Sequence, residues 1–294
     1  MDMLALLLLA AVVSEEISGF WRDTLARLAR VPGEAAIEPV KEALPYRKFR
    51  VTFNSLGGVR VEALLALPIS GEGRAGRLPA IVTAPGYGGL QQGVMLSECQ
   101  RGYAVLQVFP RVPTPAGEKL ILGIEQPDGY YYQGAYCDMV RAVDVLARHD
   151  GVDSARIAAV GTSQGGGLVL AAAALDPRIR VVAAHVPFLV DMRRAAAIPG
   201  SLVHQLLAKH NANSPAALRT LDFFDPVPLA PDLKVPVLLS SGGKDTTCPA
   251  ETIRTLFERL PGVKSLVHYP DLPHTSSLGF YELTWAWLDQ HLRH

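Results

Sequence analysis

Short runs of apolar, β-branched residues alternate with helical patterns along this chain of 294 residues. Such alternation is typical of βαβ units, in which helices connect parallel strands and cover the sheet. The predicted strands cover residues 49–53, 59–67, 80–84, 104–109, 156–160, 181–186, 235–240 and 264–269. The predicted helices cover residues 91–101, 135–148, 168–175, 250–260 and 278–292.

The alternation predicts an α/β fold with a mostly parallel central sheet and helices on both faces, in a single domain of residues 1–294. The first two strands, joined across Asn-Ser-Leu-Gly-Gly at 54–58, are expected to form an antiparallel hairpin at the sheet edge. A helical insertion at residues 188–229 interrupts the alternation. Such insertions commonly cover a site, although one without function is the alternative. Ligands of these sheets bind beyond the carboxyl ends of the strands.

Charge and cysteine content exclude several classes of function. Lys and Arg together number 28, as do Asp and Glu, so a net charge of zero argues against a nucleic-acid partner. The cysteines, Cys99, Cys137 and Cys248, have no C-x-x-C spacing, which argues against a disulfide framework and against a structural zinc site. Neither a metal nor an organic cofactor is expected.

The first 13 residues form an apolar run that has two interpretations. The run lacks a positively charged start and is too short to span a bilayer comfortably, so no stable membrane association is expected. We favour an ordinary N-terminal helix or a start-site extension of a cytoplasmic protein, and a cleaved signal of a secreted protein is the alternative. A helix start is predicted at residues 14–16, and the apolar stripe of that helix consists of Phe20, Leu25 and Leu28.

Ser163 stands between glycines in Gly-Thr-Ser-Gln-Gly at residues 161–165. A predicted strand ends just before this segment, and a predicted helix begins just after it. G-x-S-x-G at such a junction is typical of a nucleophile elbow, a sharp turn that raises the serine oxygen above the sheet edge. The alternative is a glycine-rich turn in which Ser163 caps the helix.

One aspartate and one histidine are placed to complete a catalytic triad. After this elbow, the acid and then the base each follow a strand. Asp245 follows the predicted strand 235–240, and His274 follows 264–269. Alone, Asp245 could be a turn residue and His274 a solvated side chain. The other histidines precede the acid, lie in a strand or lie near the C-terminus: His149, His185, His204, His210, His268, His291 and His294.

Two backbone N–H groups could bind an oxyanion. The strand at 80–84 is followed by Pro-Gly-Tyr-Gly-Gly at 85–89, where Tyr87 can supply one donor. Gln164, the residue after the serine, can supply the other. The alternative for Tyr87 is a plain Pro-Gly turn.

The chain resembles a known family of α/β-hydrolases, the acetyl xylan esterases and cephalosporin C deacetylases of carbohydrate esterase family seven. The resemblance is strongest at residues 130–189, which contain the extended motif Gly-Thr-Ser-Gln-Gly-Gly-Gly, and it covers most of residues 18–290. It implies an α/β-hydrolase fold. It further implies a nucleophile, acid and base at Ser163, Asp245 and His274, with oxyanion donors at Tyr87 and Gln164.

The chain departs from the family pattern at two places. The family has an Arg-Gly-Gln motif after the strand at 104–109, whereas this chain continues with Pro-Arg-Val-Pro-Thr-Pro and its loop looks shortened. Thr275 follows His274 where the family has glutamate. The first departure bears on the shape of the substrate pocket and not on the three catalytic roles.

The resemblance also implies assembly into a ring-like hexamer. We expect a homo-oligomer in which the apolar residues 1–13 and the loop at 112–126 contribute to the interface. The alternative is that both segments pack on their own domain.

The sequence therefore predicts a serine esterase that hydrolyses acetyl and other short esters of a carbohydrate or related small molecule. A serine peptidase of the prolyl-oligopeptidase type uses the same triad, but it usually carries a propeller domain, and this chain has no repeats. A non-catalytic binding protein of the hydrolase fold is the other alternative, and the intact triad argues against it.

Overall fold

The computed structural model describes residues 3–69, 76–88, 96–111 and 118–292, with the backbone alone for residues 3–13. Within these ranges, nine strands form one sheet in the order β1-β2-β3-β5-β4-β6-β7-β8-β9. The strands are β1 (Ala35–Pro39), β2 (Tyr46–Asn54), β3 (Arg60–Pro68), β4 (Leu78–Thr83), β5 (Ala104–Phe109), β6 (Val152–Thr162), β7 (Ile179–His185), β8 (Val237–Gly242) and β9 (Lys264–Tyr269).

The sheet is parallel from β5 to β9 and antiparallel at its other end. Strands β5, β4, β6, β7, β8 and β9 all run in one direction. Strands β1, β2 and β3 pair antiparallel, and β3 joins them to β5. The predicted α/β fold with a mostly parallel sheet is confirmed.

The predicted hairpin is β2 and β3, but it does not form the edge of the sheet. Strand β1, which the sequence did not predict, pairs with β2 and lies outside the hairpin. Its sequence, Ala-Ala-Ile-Glu-Pro, has one large apolar residue, Ile37, which is exposed. A short, exposed strand is a common way to finish a sheet edge, and it carries no alternation by which it can be recognised.

Helices cover both faces of the sheet, as predicted. They are α1 (Met3–Ala29), α2 (Leu96–Gln100), α3 (Tyr131–Arg148), α4 (Gln164–Leu175), α5 (Met192–Ala197), α6 (Leu202–Lys209), α7 (Pro215–Phe223), α8 (Pro226–Leu229), α9 (Ala250–Arg259) and α10 (Leu278–Leu292). The predicted helix at 91–101 is observed as α2, and its residues 91–95 lie outside the described ranges.

The core is divided between the faces by the alternation of the strands. In β4, Ala80 and Val82 belong to the large cluster that contains α3 and α4. Ile81, between them, belongs to the cluster on the other face, against Trp285 of α10. Successive side chains of a strand point to opposite faces, so a buried parallel strand must be apolar at nearly every position.

The N-terminal helix starts earlier than predicted. The backbone is helical from Met3, so residues 14–16 lie inside α1 and are not its first turn. The predicted stripe is observed, since Leu28 is buried and Phe20 and Leu25 pack against the core. The side chains of residues 1–13 lie outside the described part of the structure. Within the described part, the helices include none with the length and apolar character needed to cross a membrane.

The loop predicted at an interface packs partly on its own domain. Leu120 and Ile124 are buried in the main core, whereas Leu122 is 48% exposed. Residues 112–117 of this loop lie outside the described ranges. The homo-oligomer therefore stays a prediction.

Aromatic residues attach α1 and the insertion to the rest of the fold. Trp21 stacks on Tyr136 of α3 with ring centroids 5.6 Å apart, and its indole N–H donates to the carbonyl of Phe223 at 2.8 Å. Phe224 lies edge-on to Trp21 at 5.4 Å. The insertion, residues 188–229, forms helices α5 to α8 and is fixed to the core through these rings.

We expect Trp21→Ala to lower the free energy of unfolding by about 3–5 kcal/mol, because it opens a cavity and leaves the Phe223 carbonyl without its donor. Urea denaturation followed by fluorescence or circular dichroism measures the change. The control is Arg22→Ala on the exposed face of α1, where the pair with Glu15 spans 3.6 Å and is worth about 0–1 kcal/mol. Equal effects of the two substitutions would contradict the anchoring role of Trp21.

Candidate active site

The side chains predicted to form the site lie at the carboxyl ends of neighbouring parallel strands. Ser163 follows β6, Asp245 follows β8 and His274 follows β9. The turn with Tyr87 follows β4, which pairs with β6. Because all these strands run in one direction, their ends meet at the same edge of the sheet.

Ser163 lies on a strained turn between β6 and α4. Its φ of 56° and ψ of −123° lie in a region that non-glycine residues rarely adopt. Its backbone N–H donates to the carbonyl of His185 at 2.9 Å, and its carbonyl accepts from Gly167 at 3.1 Å and Phe188 at 2.9 Å. These bonds hold the turn, which has the form of a nucleophile elbow.

Two glycines around the serine are required by close backbone packing. A Cβ at Gly161 would lie 2.3 Å from the carbonyl oxygen of Gly165. A Cβ at Gly165 would lie 2.2 Å from the carbonyl oxygen of Ala84, at the end of β4. The first turn of α4 therefore packs directly on the β4 turn that carries Tyr87, a contact that no side chain allows.

A chain of hydrogen bonds connects Ser163, His274 and Asp245. The Nε2 atom of His274 lies 2.9 Å from the Oγ of Ser163, and its Nδ1 lies 2.8 Å from the Oδ2 of Asp245. An ionised carboxylate only accepts, so Nδ1–H donates to Asp245 and Nε2 is left to accept from the serine hydroxyl. Asp245 is buried, and its other oxygen accepts from the backbone N–H of Cys248 at 2.8 Å.

Among the described residues, Asp245, Cys248 and His274 are also the group whose ligand atoms could hold a metal, since these atoms lie within 4.8 Å of one another. Two of the three are already bonded to each other at 2.8 Å. Burial raises the pKa of the Cys248 thiol well above its ordinary value, so the thiolate that a metal needs is disfavoured. This donor set fits an aspartate that orients a histidine better than a metal centre.

Tyr87 is held by residues 119 and 120. The backbone N–H of Leu120 donates to its hydroxyl at 3.1 Å, and the ammonium of Lys119 donates to its carbonyl at 3.3 Å. Burial raises the pKa of Tyr87 to about 12 and lowers that of Lys119. Tyr87 also lies edge-on to Phe188 at 5.5 Å. Its own backbone N–H has no hydrogen-bond partner among the described residues.

Gln164 is fixed by a tyrosine from another helix. The hydroxyl of Tyr132 in α3 donates to its Oε1 at 3.0 Å, and its amide approaches the Pro85 carbonyl at 3.5 Å. Gln164 and Tyr132 are fully buried. The residue after the serine is therefore attached on one side to the β4 turn and on the other to α3.

All five residues selected from the sequence lie together in the structure, at the carboxyl ends of the parallel strands. Reasoning from the sequence did not select Lys119, Tyr132 or His185. His185 was set aside because it precedes the acid in the chain. Tyr132 and Lys119 carry no local signal, since their burial depends on the surrounding fold.

The site contains a serine, a histidine and an aspartate that are hydrogen-bonded in that order, at the carboxyl ends of a mostly parallel sheet. Together with the serine on a nucleophile elbow, this arrangement defines the α/β-hydrolase class. Within this class, the model of the family described as acetyl xylan esterase (AXE1) matches residues 9–291. The chain belongs to this family.

Three relatives illustrate the likeness. The structure of an acetyl xylan esterase from Paenibacillus sp. R4 is 29% identical, with 93% of each chain covered and a TM-score of 0.84. That of acetyl xylan esterase 1 from Thermoanaerobacterium sp. JW/SL YS485 is 22% identical, covers 94% of this chain and 93% of the other with a TM-score of 0.86, and shows the fold alone. The acetyl esterase Axe7A from Xylanibacter ruminicola is 31% identical over 170 residues, which are 55% of this chain and 38% of that protein.

We expect Gly165→Ala to destabilise the protein by about 1–3 kcal/mol or more, because its Cβ would overlap the carbonyl of Ala84. The matched control is Gly19→Ala in α1, where the nearest atom to the new Cβ is 3.6 Å away and alanine favours the helix by about 0.5–1 kcal/mol. Urea denaturation compares the two variants. A Gly165→Ala protein as stable as the wild type would show that the two turns are not in close contact.

Proposed function

We propose that this protein is a serine esterase that removes acetyl groups from carbohydrate or related small-molecule esters. The observation that carries the proposal is the hydrogen-bond chain from Ser163 through His274 to Asp245, at 2.9 and 2.8 Å. Membership of the acetyl xylan esterase family supports the class of carboxylic ester hydrolases. The acetyl esterase from Xylanibacter ruminicola and the acetyl xylan esterase from Paenibacillus sp. R4 support the acetyl group, and the name of the second also supports a xylan ester.

In the proposed mechanism, the Oγ of Ser163 attacks the ester carbonyl while Nε2 of His274 takes its proton. The same imidazole then donates this proton to the leaving alcohol, and an acyl-enzyme remains on Ser163. Water repeats the sequence and releases the carboxylic acid. Asp245 holds the imidazole through Nδ1 and stabilises the imidazolium, and its burial keeps the geometry fixed.

The backbone N–H groups of Tyr87 and Gln164 are the proposed donors to the oxyanion. Tyr87 follows β4, whose end packs on the first turn of α4, so both N–H groups belong to turns in direct contact. The N–H of Tyr87 is not used by another described group. Removal of one such preorganised donor costs about 3–4 kcal/mol of transition-state stabilisation.

The acyl group is proposed to be short because rings surround the turn. Tyr87 and Phe188 lie edge to face at 5.5 Å, and the backbone of Pro187 and Phe188 packs on the first turn of α4. Both rings are packed against the main core. A longer acyl chain would have to displace them, which costs about 1–3 kcal/mol for each methylene that does not fit.

We expect Ser163→Ala to lower kcat for p-nitrophenyl acetate by several orders of magnitude, because a triad acts as a unit. The control is Ser154→Ala, an exposed residue of the same strand, which should retain wild-type kcat. Circular dichroism of both variants checks the fold. A folded Ser163→Ala protein with full activity would sink the proposed function.

A substrate panel tests the acyl group and the rival activity together. Rates should fall sharply from p-nitrophenyl acetate and propionate to octanoate, and acetylated xylo-oligosaccharides should release acetate. Aminoacyl-proline amides, which a peptidase of the prolyl-oligopeptidase type would cleave, should be left intact. Preference for octanoate would contradict the short acyl pocket, and cleavage of the amides would favour the peptidase.

A further inference from the structure

A second histidine, His185, lies behind the site and is not part of the hydrogen-bond chain. It is the last residue of β7, between β6, which leads to Ser163, and β8, which leads to Asp245. It is 2% exposed. A histidine this deeply buried needs partners for both ring nitrogens.

Both ring nitrogens of His185 have partners, and these come from different elements. Its Nδ1 lies 2.7 Å from the Oγ of Ser240 in β8. Its Nε2 accepts from the backbone N–H of Ser277 at 2.7 Å. Ser277 stands three residues after His274, in the loop between β9 and α10. The ring therefore joins the body of the sheet to the loop that carries the proposed base.

The backbone of the same residue holds the serine. The carbonyl of His185 accepts from the N–H of Ser163 at 2.9 Å. One residue thus contacts the nucleophile turn through its main chain and the base loop through its side chain. The two segments are also joined by the bond of 2.9 Å between Ser163 and His274 itself.

We infer that His185 is a positioning residue, which sets the distance between Ser163 and His274 by accepting a hydrogen bond from Ser277 in its neutral, Nδ1-protonated form. The inference rests on the proposed function, and it concerns a residue that touches neither the substrate nor the transferred proton.

The tautomer follows from the partners. The N–H of Ser277 can only donate, so Nε2 must accept, and the neutral ring carries its proton on Nδ1 and donates it to Ser240. In the protonated ring, an Nε2–H would face the Ser277 N–H and the bond would be lost. Burial and the neighbouring His274 lower the pKa of His185 to about 4, so the ring stays neutral at physiological pH.

The groups around the His185 ring do not favour its protonation. The titratable groups that face it are His274 from the loop and Tyr281 from α10, whose ring centroid is 6.1 Å away. Phe280 packs on it at 4.5 Å, and β8 contributes the non-titrating Ser240. Because none of these neighbours is a carboxylate, a protonated His185 would have no ion-pair partner among them.

Two amides test the role because they replace different ring nitrogens. The carbonyl oxygen of glutamine is as many bonds from Cα as Nε2, so His185→Gln keeps an acceptor for Ser277. Asparagine reaches only the position of Nδ1, so His185→Asn keeps a partner for Ser240 alone. We expect His185→Gln to retain kcat for p-nitrophenyl acetate within about threefold, and His185→Asn and His185→Leu to lose about 10- to 100-fold with little change in KM.

The control is His268→Leu. His268 forms the same kind of pair, with the Oγ of Ser241 at 2.9 Å, but it is exposed in β9 and does not hold the base loop. Its kcat should stay at the wild-type value. If Gln and Asn at position 185 have equal kcat, His185 acts through packing alone and the inference is overturned. If instead Ser163→Ala remains active, it is the proposed function that fails.

Stability against pH supplies a readout independent of catalysis. Since the folded pKa of about 4 lies below the ordinary 6.5, the unfolded chain binds a proton in this range that the folded chain does not. The wild type therefore loses stability as the pH falls from 6.5 towards 4. The melting temperature of His185→Gln should fall less between pH 7 and 4.5 than that of the wild type. An equal loss in both proteins would contradict the neutral ring.

Discussion

The candidate site depends on a contact between two backbones. The first turn of α4 approaches the end of β4 so closely that Gly165 has no room for a Cβ beside the carbonyl of Ala84. This approach brings the Tyr87 turn to Ser163, whose own φ of 56° is held by bonds to β7 and to the segment after it. The strain at the serine is therefore balanced by main-chain contacts of neighbouring strands. These backbone contacts, and not the side chains of the site, determine the positions of the two turns.

Hydrogen bonds of buried polar groups then connect these backbone turns to the surrounding segments. Tyr132 reaches Gln164 from α3, Leu120 binds the hydroxyl of Tyr87, and His185 reaches Ser277 before α10. Each of these groups has a hydrogen-bond partner, which is the condition under which polar groups can be buried at little cost. Because every bond joins segments far apart in the chain, the site can form only when the whole parallel half of the sheet is assembled.

Much of the fold could be predicted from sequence, because buried parallel strands are apolar at nearly every position. The bounds of β5, β9 and α10 were predicted to the residue, and the order of nucleophile, acid and base selected one aspartate and one histidine. The edge strand β1 was missed because it is exposed, and the start of α1 was wrong because a serine with two glutamates resembles a cap. His185 was missed for a different reason: its partner Ser277 is 92 residues away, and no local pattern records such a contact.

The position of β9 has a consequence for how the protein loses function. Among the described strands, β9 is the edge of the parallel half of the sheet and pairs with β8 alone, and most of its residues are half-exposed. The loop that follows it carries His274, whereas Ser163 follows β6, which has a neighbour on both sides. Edge elements open locally at a smaller free-energy cost than central ones. Fraying of β9 would displace His274 while the nucleophile turn and the core remain folded. Loss of activity would then follow local opening of β9, whereas global unfolding would follow the stability of the central strands.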